Sequence, residues 1–152
     1  MSEYLIKKAA DSAGIYYKEG FNCAESIFLS LRSFAAPDLS EDMVRLATPF
    51  GGGVGRSGCV CGALSGAVII IGAVKGRVLP DRKSRDLAYE LSGEFHNRFK
   101  AMFGATCCRV LIKNESKGQG EKCHKIITES AGLLMSLLIE KNLIDSTHFS
   151  EE

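Results

Sequence analysis

The sequence predicts an all-α fold, a single-domain helical bundle of about five to seven helices. Three observations lead there. Apolar residues recur at three- and four-residue spacing in one segment after another. Helix punctuation brackets those segments: Asn22 with Glu25, Ser40 and Asp81 at starts, Gly20, Pro37 and Gly104 at ends. No alternating apolar–polar run offers a strand with a partner to pair with. The chain has 152 residues, 45% apolar and 24% charged, long enough to bury a core as one domain.

The elements follow in order. Residues 2–18 read as a first helix with Leu5, Ala9, Ala13 and Tyr16/Tyr17 on one face, stopped at Gly20. Asn22 caps a second, with Glu25 completing a capping box, an inner face of Cys23, Ile27, Phe28, Leu31 and Phe34, and Pro37 as its end. Ser40 caps a short third helix carrying Met43, Val44 and Ala47, closed by Pro49. A glycine-rich loop, Gly51 to Gly58, then leads into a small-residue central helix from about Val60 to Val74. Its run Ile69-Ile70-Ile71 suits a strand as well, but nothing is there to pair with it. Pro80 and Asp81 open a long helix to about Phe103, with Leu87, Leu91, Phe95, Phe99 and Met102 as its stripe and Gly104 behind it. Thr106 caps a short turn holding Cys107 and Cys108. Residues 113–122 are a polar loop, and a last helix runs from about Cys123 to Lys141. The tail, 143–152, is expected to be loosely ordered.

Several functions are excluded or disfavoured. A net charge of +1 gives no electrostatic footprint for nucleic acid or an anionic membrane surface. The N-terminal stretch lacks a signal-peptide core, and the longest apolar run, Ala67 to Val74, is far short of the roughly 20 residues that span a bilayer. A cytoplasmic location follows as an expectation, and structural disulfides are rare there. Six cysteines then call for metal binding or thiol chemistry, the alternative being that several are small buried hydrophobes. No hydrolytic triad or acid–base pair stands at motif spacing, which speaks against a group-transfer enzyme.

Cys23, Cys61, Cys108 and Cys123 each fall at, or within a turn of, an expected helix start. Orphan N–H groups and the positive end of the helix dipole favour a thiolate there, the species that ligates metal or attacks a disulfide. Their separations match no compact zinc motif, so a four-thiolate site has to be assembled by the tertiary fold. Iron–sulfur clusters accept such dispersed ligation more often than structural zinc does. Spacing alone leaves metal and thiol redox level. Gly53-Val54-Gly55-Arg56-Ser57-Gly58 also satisfies a dinucleotide fingerprint, but no strand precedes it. Its better use is as a backbone cradle for a cofactor or the Cys61 sulfur, with Gly53, Gly55, Arg56, Gly58 and Gly62 as cofactor-binding candidates. His96 and His124 read as packed or solvent-tipped helix residues, His124 with the added interest of following Cys123, and His148 as solvent. Gly62-x-x-x-Gly66 is a close-packing face, either internal or in a homodimer.

Taken together, Cys61-Gly62-Ala63-Leu64-Ser65-Gly66, the glycine loop before it and the dispersed Cys23, Cys108 and Cys123 resemble the C_GCAxxG_C_C family of "putative redox-active" proteins. Cys23 stands in Phe21-Asn22-Cys23-Ala24-Glu25; Cys108 lies four residues after Gly104 and just before Arg109, as the family pattern has it. Cys59 and Cys107 lie outside that pattern. The resemblance covers nearly the whole chain and implies an all-helical fold with redox or metal chemistry at the four cysteines. It also suggests a transporter-associated partner, since members are often linked with transporter genes. The leading expectation is an electron-transfer protein whose Cys23, Cys61, Cys108 and Cys123 bind an iron–sulfur centre and serve an unidentified redox partner. The alternatives are a metal-free thiol–disulfide protein and a zinc-stabilised interaction module.

Overall fold

Leu5, Ala9 and Ala13 are fully buried and form the inner stripe of α1 (Ser2–Lys18). The helix ends where the sequence expects: Gly20 turns to φ +113°, and the Phe21 amide returns to the Tyr16 carbonyl at 3.2 Å. The computed structural model describes residues 1–113, 119–145 and 149. Asn22 caps α2 (Cys23–Ala35) with the full reciprocal box: its side chain accepts from the Glu25 amide and Glu25 accepts from the Asn22 amide, both at 2.9 Å. Six residues in a row on α2, Ser26 to Leu31, are buried, so this helix is enclosed on every side. The buried Ser30 hydroxyl donates to the Ala9 carbonyl at 2.8 Å and ties α2 to α1.

After α2 come two 3-10 turns, Glu41–Leu46 and Thr48–Phe50, then a short glycine turn, α3 (Gly51–Val54). Helix α4 (Gly62–Lys75) follows, then α5 (Arg82–Phe103), α6 (Cys108–Leu111) and α7 (Gln119–Glu140). Helix α1 lies along α7, α2 lies along α4, and α2 also packs on α1 and α7. Helix α5 closes the other side against α4 and α7. The isoleucine run is helical, with Ile70 and Ile71 fully buried. Gly62 and Gly66 let α4 approach α2: a methyl at Gly66 would stand 2.6 Å from the Ala24 carbonyl oxygen. That small-residue face is therefore an internal one.

Three boundaries and one stripe differ from the sequence reading. Helix α4 starts at Gly62 rather than Val60, because Val60 and Cys61 are extended and pair with the segment around Cys107. Thr106 is not a cap; Cys107 is, and the Thr106 carbonyl is used by the Cys61 amide at 2.7 Å. The expected polar loop is helix from Gln119 onward, and its residues 114–118 lie outside the described residues. Cys123 thereby sits just beyond the first turn of α7. On α5 the stripe is shorter than expected: Leu91, Phe95 and Phe99 are buried, whereas Leu87 and Met102 overhang into solvent. In the tail, the Leu143 amide bonds the Leu138 carbonyl at 2.8 Å and Phe149 meets the Phe34 ring at 5.5 Å. Residues 146–148 and 150–152, which include His148, lie outside the described residues. No helix among the described residues is long and apolar enough to cross a membrane.

Candidate functional site

The site is built where three chain segments meet. Cys23 is the first residue of α2, Cys61 the N-cap of α4 and Cys108 the first residue of α6. The capping box that starts α2 is itself tethered: the Asn22 side chain donates to the Thr48 carbonyl at 3.0 Å, and the Thr48 hydroxyl donates to Glu25 at 2.8 Å. This fixes the start of α2 against the turn that leads into the glycine segment.

From Gly52 to Arg56 five consecutive residues have φ between +57° and +72°, a left-handed helical turn. Glycine adopts that conformation without strain; Val54 and Arg56 do not. The turn is held by its own backbone, with the amides of Gly58 and Cys59 bonding the carbonyls of Gly52 and Gly53 at 3.1 and 3.0 Å. The amides of Gly55 and Arg56 are taken up by the carbonyls of Pro49 and Gly51, just before the turn. Gly53 is the tightest point. A Cβ there would stand 2.5 Å from the Cys59 nitrogen and 2.8 Å from the Cys108 Cβ. Arg109 lies over Gly58 and donates to the carbonyls of Gly58 and Ser57 at 3.4 and 3.3 Å. The Arg56 stem folds back over Gly52, and Gly55 faces open space.

Leaving the turn, residues 58–61 run antiparallel to 106–109. Val60 pairs with Cys107, the Cys108 amide donates to the Cys59 carbonyl, and the Arg109 amide donates to the Gly58 carbonyl at 3.2 Å. This short ribbon brings Cys61 and Cys108, 47 positions apart in the chain (108 − 61), to one place. Gly62 then brings in Cys23, because a Cβ on Gly62 would fall on the Cys23 sulfur.

Electrostatics report the same convergence. Burial pushes the Cys61 thiol up to about 12; the amides of Ala63 and Leu64 pull it down, and Cys23 and Cys108 push it up further. Cys61 closes no full capping hydrogen bond, so those amides only bias the sulfur toward the thiolate and burial wins. Cys108 is raised as well, by burial first and then by Cys23. The expected thiolate preference at helix starts is thus overturned by desolvation at both positions.

Cys123 joins through Tyr17. Burial raises the Tyr17 hydroxyl, Cys123 and Cys23 raise it further by their charge, and a side-chain hydrogen bond to Cys123 adds to this. Tyr17 on α1 thus lies within reach of both Cys23 on α2 and Cys123 on α7. The His124 ring lies 6.3 Å from that of Tyr17, over Gly14, so His124 packs beside the site. His96 is exposed and contacts Asn97. Cys59 and Cys107 are exposed, and no disulfide joins any of the six cysteines. Among the described residues no group of three or more His, Cys, Asp or Glu is drawn together closely enough to hold a metal ion. Tyr17 is the residue that sequence reasoning passed over as part of the site, and Arg109 entered it only as the residue after Cys108 in the family pattern. Each acts through a contact between segments remote in the chain.

An all-helical domain with Cys23 against the start of α4 and Tyr17 between Cys23 and Cys123 defines the class: a small cysteine-bearing helical protein. Residues 21–137 match the family described as "Putative redox-active protein (C_GCAxxG_C_C)", and the chain belongs to that family. It is also 28% identical, over 127 residues, to a protein of Archaeoglobus fulgidus described as "Uncharacterized protein", an alignment covering 77% of this chain and 84% of that one. No solved structure matches the chain.

Proposed function

We propose that this is an electron-transfer protein in which Cys23, Cys61, Cys108 and Cys123 hold an iron–sulfur centre. The observation that carries the reading is the position of Cys23, whose sulfur lies against Gly62, the residue after Cys61, and whose charge is felt at Cys61, Cys108 and Tyr17. A thiolate at Cys23 opposes ionisation of Cys61 and Cys108. A cationic centre removes that conflict, since its charge stabilises every thiolate at once.

Cysteines drawn from four separate segments, with no close zinc-type pair among them, suit a four-iron cluster, which takes its cysteines on different irons, more often than a structural zinc ion. When bound, the cluster would supply one-electron chemistry. The chain's own part is to bury Cys61, to exclude water with the glycine turn, and to place the Tyr17 hydroxyl on Cys123, where a hydrogen bond to a ligating sulfur adjusts the potential.

The test is the absorption spectrum with the iron, zinc and acid-labile sulfide content of protein purified without oxygen. Brown protein with iron and sulfide is the expected result. Colourless protein with stoichiometric zinc would replace the reading with a structural zinc module. Metal-free protein would leave thiol–disulfide exchange in its place.

A further inference from the structure

Cys59 lies outside the four-cysteine set, yet the ribbon places it opposite one of them. The Val60–Cys107 pair is bracketed by two hydrogen bonds, from the Cys61 amide to the Thr106 carbonyl and from the Cys108 amide to the Cys59 carbonyl. The second of these bonds joins Cys108, where the chain turns into α6, directly to Cys59, whose own amide is taken by the Gly53 carbonyl. Cross-strand neighbours have Cα atoms about 4.5–5.5 Å apart, within the roughly 4.4–6.8 Å that a disulfide accepts. Gly53 confirms the proximity independently, because its absent Cβ would touch both the Cys59 nitrogen and the Cys108 Cβ. Both thiols are free, Cys59 exposed and Cys108 half-buried.

We propose that Cys59 and Cys108 form a reversible disulfide, with a small-molecule disulfide as oxidant. The exposed Cys59 thiolate attacks the oxidant, forming a mixed disulfide and releasing one thiolate. Cys108 then attacks the Cys59 sulfur and expels the second. The two protein thiols give up two electrons and two protons, and the oxidant leaves as two thiols. The product withdraws Cys108 from the four-cysteine site, so the bond is a lock on that site as well as a protection of Cys108. The pairing itself does not depend on the site holding metal.

The full chain, as purified and after treatment with an iron chelator, is incubated with oxidised glutathione, alkylated and mapped by non-reducing peptide mass spectrometry. The expected product links the peptide carrying Cys59 and Cys61 to the one carrying Cys107 and Cys108. It persists in Cys107→Ser and is lost in Cys59→Ser. Both substitutions are at exposed positions, and circular dichroism checks that helix content is retained. Absence of the linked peptide from both wild-type samples, its persistence in Cys59→Ser, or its loss in Cys107→Ser would overturn the assignment. Metal content is read separately, so failure here is distinguishable from failure of the iron–sulfur reading.

Discussion

At the scale of single residues, Cys61 shows two effects in competition. A helix start offers N–H groups and a dipole that stabilise a thiolate, typically by about 0.3–1 kcal/mol near the surface, or about 0.2–0.7 of a pKa unit. Burial runs the other way and is larger, leaving the thiol near 12. In the metal-free protein Cys61 should therefore be the last of the six to alkylate at pH 8, with exposed Cys59 and Cys107 first, as site-resolved mass spectrometry would read. The linkage has a definite sign. The folded state keeps the Cys61 proton where the unfolded chain, with a thiol pKa of about 8.5, has lost it. This contribution to stability is whole below that pH and declines as the pH rises toward 12. Metal-free protein whose urea midpoint stayed level from pH 9 to 11 would contradict it. The sequence marked the cysteines and the helix starts beside them. Burial was not legible, because it depends on which segments fold over Cys61, and Tyr17 was missed for the same reason. Tyr17→Phe should cost about 1 kcal/mol from the lost hydrogen bond to Cys123, measured by denaturant unfolding.

Among the elements, the glycine turn is the one whose shape the site depends on. Its glycines were plain in the sequence; its left-handed winding was not, since Val54 and Arg56 disfavour it. Gly53→Ala and Gly62→Ala should each destabilise by about 1–3 kcal/mol through overpacking, as the new methyl at one meets Cys59 and Cys108 and at the other Cys23. Val54→Gly should be neutral or stabilising by up to about 1 kcal/mol, relief of left-handed strain offsetting the entropy of a new glycine. A Val54→Gly variant clearly less stable than wild type would contradict that strain. In the helices, two buried serines separate by their partners. Ser30 bonds the Ala9 carbonyl, whereas the buried Ser130 hydroxyl finds no partner among the described residues. Thermal unfolding should show Ser30→Ala losing about 1 kcal/mol and Ser130→Ala losing nothing or gaining. Helical periodicity carries no information about which buried hydroxyl meets an acceptor.

For the whole molecule, the all-α architecture followed from periodicity and caps because each helix carries its own signal. The assembly of the site did not, since it rests on a ribbon between residues 58–61 and 106–109 that is too short and irregular to show alternation. Far from the site, Arg98 grips Glu140 with two bonds, at 3.2 and 2.8 Å, and joins α5 to the end of α7. The Arg98 hydrogen bond holds the Glu140 carboxyl below the usual carboxylate range. Its stabilising contribution is present above that range and fades as the pH falls through the depressed value. Glu140→Gln should therefore slightly lower the melting temperature at neutral pH and make no difference in acid; an equal loss at both would contradict the ion pair.

The central claim is that Cys23, Cys61, Cys108 and Cys123 act as one site. The measurement that tests it most directly is the iron and acid-labile sulfide per chain, in protein prepared without oxygen, for each single Cys→Ser variant of the six. Variants at Cys23, Cys61, Cys108 and Cys123 should lose the centre, while those at Cys59 and Cys107 should keep it. Full content in all four of the former would show that these cysteines do not hold a metal centre together.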